Sequence, residues 1–88
     1  MTDTASPVEA PTARAVLEHL VGSLVEDRDA VRIDLSHGRS LPRLTVRVGP
    51  NDMGRVIGKR GRVAQAIRTV VRAAAARDGT DVEVEFED

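Results

Sequence analysis

The feature that most limits how this chain can fold is a change of apolar period along its length. Val31-Arg32-Ile33-Asp34-Leu35, Leu44-Thr45-Val46-Arg47-Val48 and Val82-Glu83-Val84-Glu85-Phe86 alternate apolar and polar residues strictly. Such alternation buries one face of a strand and wets the other. From Pro11 the period lengthens: Ala13, Val16, Leu17, Leu20, Val21 and Leu24 recur at steps of three and four, with Arg14, Glu18 and Glu26 on the other face. That spacing predicts a helix, which Pro11 can begin and the polar run Glu26 to Asp29 ends. A second long helix is predicted from Arg62 to about Arg77, with Val63, Ala66, Ile67, Val70 and Ala74 as its buried stripe. Gln65, Arg68, Thr69 and Arg72 fall opposite, and Gly79 caps the end. Asn51 to Ile57 reads as a short helix with Asp52 in its first turn.

The order is helix, strand, strand, helix, helix, strand. Ser36 to Ser40 forms a turn that joins the first two strands as an antiparallel hairpin. A strand reached through helices runs parallel to its partner by a right-handed crossover. The expected fold is therefore α+β: a three-stranded mixed sheet with three helices packed on one face, the other face left polar. Residues 1–10 have no periodicity and read as a flexible tail ahead of a single domain, 11–88.

Composition narrows the chemistry. Phe86 is the sole aromatic among 88 residues, so the core is aliphatic. With no cysteine, a disulfide framework, a thiolate zinc site and a cysteine nucleophile are all excluded. His19 and His37 leave little for a metal or catalytic centre, and Asp34, Ser36 and His37 are neighbours in sequence without being a triad. The reading is no enzyme, no metal and no cofactor. No apolar run reaches the ~18–20 residues of a membrane span. The acidic, polar start is unlike a secretory signal, which points to the cytoplasm.

The net charge of −1 conceals segregation. Residues 1–30 carry −4, 31–49 carry +3, 50–77 carry +6 and 78–88 carry −6. A basic middle between acidic ends suggests a local anion site. Arg39, Arg43 and Arg47 either extend that basic surface or form a solvated face. The acids after residue 78 alternate with Val82, Val84 and Phe86, so they read as a polar strand face rather than a metal site.

Met53 to Val63 concentrates the signal: three glycines, four bases and no acid. Gly58 can end the short helix in a left-handed conformation, and Gly61, without a Cβ, lets another backbone approach. The amides of the next helix N-terminus can receive an anion. Lys59 and Arg60 add charge at the tip, while Val56, Ile57 and Val63 offer an apolar wall for bases. A plain helical corner would also explain the glycines.

VIGKRGR, preceded by GPNDMGR, resembles the signature of KH domains, and the element order is similar to their type II arrangement. Asp52 to Lys59, Gly61-Arg62, Ala66 to Thr69 and Ala73 to Ala75 resemble the KhpA (YlqC-type) family of small, stand-alone bacterial KH proteins. The resemblance implies a cytoplasmic RNA-binding protein that holds short single-stranded RNA. It implies contacts from Arg55, Val56, Ile57, Gly58, Lys59, Arg60, Gly61 and Arg62. It further implies a role as RNA chaperone or post-transcriptional regulator linked to cell elongation and division. The partners it implies are a second copy (homodimer) or a larger KH-containing protein of the Jag/KhpB type (heterodimer). The competing reading is a protein-interaction subunit whose KH fold serves mainly as a scaffold; a core this small gains from association.

Overall fold

The computed structural model describes residues 9–37 and 41–87. Its elements run α1 (Pro11–Leu24), β1 (Arg32–His37), β2 (Pro42–Arg47), α2 (Met53–Ile57), α3 (Arg62–Ala75) and β3 (Glu83–Glu87). Short 3-10 turns at Arg28–Ala30, Lys59–Gly61 and Ala76–Asp78 join them. Gly38 to Ser40 of the expected turn, and residues 1–8 of the expected tail, lie outside the described residues.

The sheet order is β1-β2-β3. β1 and β2 pair antiparallel with Ile33 opposite Val46 and Leu35 opposite Leu44. β2 and β3 pair parallel with Leu44 opposite Val84 and Val46 opposite Phe86. The mixed sheet expected from the pattern is therefore present. Ile33, Leu44, Val46, Val82 and Val84 join Ala13, Leu17, Val21, Val56, Ile67 and Val71 of the helices in one buried cluster. The outer face carries Arg43, Thr45 and Arg47 beside Glu83, Glu85 and Glu87. Each edge strand also gives a carbonyl to an arginine from the helical layer. Arg14 Nη2 donates to Ile33 O at 2.7 Å and Arg68 Nε to Val84 O at 3.0 Å.

Two expectations are corrected. On α3 the buried residues are Ala64, Ile67, Val71 and Ala75, so the core stripe is turned by about one position from the predicted one. Val70 is 48% exposed, and Ala66 is exposed too. Both sets have helical spacing, and which one is buried is set by packing against α1 and the sheet. Asp52, expected to serve its own helix, is 2% exposed and instead accepts the backbone N–H groups of Glu26 and Asp27 at 3.1 and 3.0 Å.

A similar long-range cap starts α1. Ala10 at its N-cap has no side chain to offer the first amides. Asp78, after α3, accepts from Thr12 N at 3.1 Å and Ala13 N at 3.0 Å. Burial raises the Asp78 pKa, but hydrogen bonds from the Ala13 amide and from the Thr12 side chain and amide together outweigh it and leave the carboxyl below its ordinary value.

Candidate functional site

α2, the Lys59–Gly61 turn and α3 form one corner. The chain leaves α2 at Gly58, whose N–H bonds Gly54 O at 2.9 Å. Gly58 sits at φ +73°, ψ 176°, a region open essentially to glycine alone. A Cβ there would meet Val63 on its side chain and would lie 3.0 Å from its backbone nitrogen. Gly61 N closes the turn on Gly58 O at 3.2 Å, and Gly61 is left-handed at φ +73°, ψ 14°. A Cβ on Gly61 would meet nothing within 4 Å. The two glycines thus exchange their expected roles: the close approach is at Gly58, and the left-handed turn at Gly61. Arg60, at φ 56°, ψ 27°, is the non-glycine residue held left-handed among those described. It is strained in the way of residues at ligand sites.

The expected contact residues divide by exposure. Lys59, Arg60 and Arg62 are exposed at the tip, and Gly58, Gly61 and Ile57 are half-buried beside them. Val56 is 0% exposed, so it belongs to the core and supports the wall instead of facing it. Its neighbour on α2, Ile57, and Val63 on α3 remain partly open. Arg55 is exposed, but its Nε lies 3.3 Å from Asp52 and its Nη2 3.4 Å from Glu26. Two residues outside the expected contact set, Asp52 and Glu26, thus tie α2 to the α1–β1 connection. The Glu26 and Asp27 amides, with Arg55, hold the Asp52 carboxyl below its ordinary range against the effect of burial.

The electrostatics sharpen the same corner. Arg43 pairs with Glu83 at 3.1 Å, Arg47 with Glu87 at 2.8 Å and Arg72 with Asp81 at 2.7 Å. The acidic C-terminal stretch therefore neutralises the bases of β2 and of the last turn of α3; Arg39 lies outside the described residues. Among the described residues, Lys59, Arg60 and Arg62 have no carboxylate within ion-pair distance. They stand where α3 begins, and no side chain caps its first amides. Uncompensated cations at a helix N-terminus attract anions, phosphates above all. No group of three His, Asp or Glu among the described residues is placed to hold a metal ion. No described helix is long and apolar enough to cross a membrane.

A mixed sheet backed by three helices, with a basic turn between glycines joining the second and third, defines a KH domain. Comparison with known proteins narrows the class. A family model described as "KhpA/KhpB, KH domain" matches residues 14–86. The chain belongs to this family. It is 44% identical over 71 residues to the RNA-binding protein KhpA of Caldanaerobacter subterraneus subsp. tengcongensis, covering 81% of this chain and 95% of that one. It is 44% identical over 73 residues to KhpA of Clostridium acetobutylicum, covering 83% and 97%. Against KhpA of Streptomyces coelicolor it is 48% identical over 61 residues, covering 69% and 77%. Among solved structures it resembles Era of Aquifex aeolicus at TM-score 0.64 and 16% identity, over 91% of this chain and 30% of that one. Era in complex with nucleotides of 16S ribosomal RNA aligns at the same TM-score and identity, over 93% of this chain and 31% of Era. At that identity the likeness concerns the fold.

Proposed function

We propose that the chain binds short single-stranded RNA, with the Gly58–Gly61 turn clamping the sugar–phosphate backbone. The observation that carries this reading is the trio Lys59, Arg60 and Arg62, without carboxylate partners, at the uncapped start of α3. The RNA-binding names of its KhpA relatives support it. In this reading residues 11–88 are the KH unit, and Gly58, Lys59, Arg60, Gly61 and Arg62 meet the backbone. Ile57 lies beside the bases with Val56 beneath it, and Arg55 borders the site while held by Asp52. A KH groove accommodates about four nucleotides. Without stacking platforms, affinity is modest and rests on phosphate contacts. With ~3–4 phosphates engaged, log K falls with log salt at a slope of about −2 to −3. In this reading, as the family resemblance implies, the protein works in the cytoplasm, in RNA chaperoning or post-transcriptional regulation tied to cell elongation and division.

The test is anisotropy with a randomised single-stranded RNA pool at two salt concentrations. Lys59→Asp/Arg60→Asp is expected to abolish salt-dependent binding while its circular dichroism and melting stay those of the wild type. Undiminished binding by that folded variant would refute the clamp.

One observation favours an additional role in protein association. Leu20 of α1 and Val63, Ala66, Ile67 and Val70 of α3 line an apolar hollow of about 290 Å³. An open aliphatic surface with an exposed valine suits a second copy, or a larger KH-containing partner of the Jag/KhpB type.

A further inference from the structure

Of the 13 lysine and arginine residues in this chain, Lys59 is the one lysine. It stands on the turn between α2 and α3, exposed to solvent. Among the described residues no carboxylate lies within ion-pair distance of it. Every other base carries a guanidinium, and the difference concerns reactivity more than charge. A guanidinium stays protonated and has no electron pair to give. An alkyl amine can lose a proton and attack a carbonyl carbon. Lys59 is therefore the one side chain of this protein able to hold an acyl group as a stable amide, and cysteine, a competing nucleophile, is absent. For phosphate contact alone an arginine serves at least as well, because its fork can bind phosphate in two places. Arg60 and Arg62 adjoin Lys59, exposed and likewise without a carboxylate among the described residues. At β2 and the end of α3, by contrast, Glu83, Glu87 and Asp81 offset the arginines. A small anionic reagent is thus drawn to the corner that holds the amine.

We propose that Lys59 is a site of acylation by acyl phosphates, and that the modification turns RNA binding down. Arg60 and Arg62 attract the phosphate of the donor and raise its concentration at the amine. The Lys59 ammonium gives one proton to water, and the electron pair of Nζ attacks the acyl carbon. The bond from that carbon to the phosphate oxygen breaks. Phosphate leaves with the electron pair and takes the second proton. The side chain then carries a neutral amide with one N–H in place of a cation with three. The site itself stands on the chemistry of Lys59 and its neighbours; the effect on RNA rests on the RNA-binding reading. One of three cations without carboxylate partners is lost. Each phosphate contact to a single strand contributes ~0.7 to the salt slope, so acylation makes the slope shallower by ~0.7 and binding about fivefold weaker near 0.1 M salt.

The experiment treats the wild type and Lys59→Arg with acetyl phosphate and locates the product by peptide mass spectrometry. The reference for an unassisted amine is Nα-acetyl-lysinamide. Lys59 is expected to react roughly tenfold faster than the reference, the low end for charge focusing of a substrate. Inorganic phosphate is expected to slow that reaction and to leave acetylation by phenyl acetate, an uncharged donor, as it was. A Lys59 that reacts no faster than the reference, or that phosphate protects equally from both donors, overturns the site and leaves the RNA reading standing. Acetylated and untreated wild type are then compared by anisotropy on the randomised single-stranded RNA pool. The acetylated protein is expected to bind about fivefold more weakly near 0.1 M salt, with the shallower slope, while its circular dichroism is unchanged. Lys59→Arg is compared with itself before and after treatment, and its binding is expected not to move. An equal loss in both proteins, or no loss in the wild type, overturns the switch. Untreated wild type that binds no RNA overturns the RNA reading and the switch together, while the acylation rates still decide the site.

Discussion

Gly58→Ala and Gly61→Ala make the same chemical change at the two ends of one turn, and the structure assigns them different costs. At Gly61 the backbone is left-handed, but a methyl group would enter open space. The cost is that of the conformation alone, about 1–2 kcal/mol. At Gly58 the backbone lies in the extended positive-φ region, which costs an alanine about 1–3 kcal/mol. The new Cβ would also lie 2.7 Å from Val63 Cβ and 3.0 Å from Val63 N. Neither can move without displacing the first turn of α3, and such overpacking adds about 1–3 kcal/mol. Gly58→Ala should thus remove about 2–6 kcal/mol from a domain whose whole stability is about 5–15 kcal/mol. Urea unfolding followed by circular dichroism reads the difference as a shift of midpoint at constant slope. Adding Val63→Ala should recover only part of the loss, because the Val63 Cβ and backbone nitrogen remain. If Gly58→Ala costs no more than Gly61→Ala, the close packing of the turn on α3 is wrong.

Other outcomes follow from the same geometry. Val70→Asp is expected to leave the melting temperature nearly unchanged, within about 0.5 kcal/mol, because the residue lies at the surface. It should disperse any self-association seen by analytical ultracentrifugation, whereas Val71→Asp, at a fully buried position, should prevent folding. Arg72 and the Val82 amide depress the Asp81 pKa to about 2, and hydrogen bonds hold Asp52 and Asp78 below the ordinary 3.8. Carboxylates depressed in the folded state stabilise it above their unfolded pKa and lose that contribution as pH falls through the folded value. Thermal melts from pH 7 downward should therefore hold steady to about pH 4 and drop below it. Asp52→Asn should melt lower at pH 7 and show a shallower acid limb; an unchanged limb would show that Asp52 has no such role. Asp78→Ala should selectively weaken the start of α1, read as faster amide exchange over residues 12–16.

Much of the architecture could be read from local pattern. Each strand announces itself by alternation, and the turn by its glycines and bases, because these depend on neighbours two to four residues apart. The core face of α3 could not be read this way. Val63, Ala66, Ile67, Val70 and Ala74 compete with Ala64, Ile67, Val71 and Ala75, both at helical spacing, and only α1 and the sheet decide between them. The caps were hidden for the same reason. Asp78 serves amides more than sixty positions away, and Asp52 serves amides in the α1–β1 connection. One long-range feature did leave a trace. Arg43 and Arg47 have the same four-residue spacing as Glu83 and Glu87, so a parallel pairing of those strands sets both ion pairs at once.

The arginines on the sheet edges bear on whether another molecule can add a strand to this sheet. A three-stranded sheet leaves two rows of backbone able to recruit a strand from another molecule, the route to fibres and insoluble aggregates. Here an incoming strand finds Ile33 O engaged by Arg14 and Val84 O engaged by Arg68, each anchored on a helix of the same molecule. Growth by strand addition must displace a bound guanidinium at either border. Removing both arginines would open those borders, and the consequence would show as slow fibril formation at temperatures where the less stable variant is still folded.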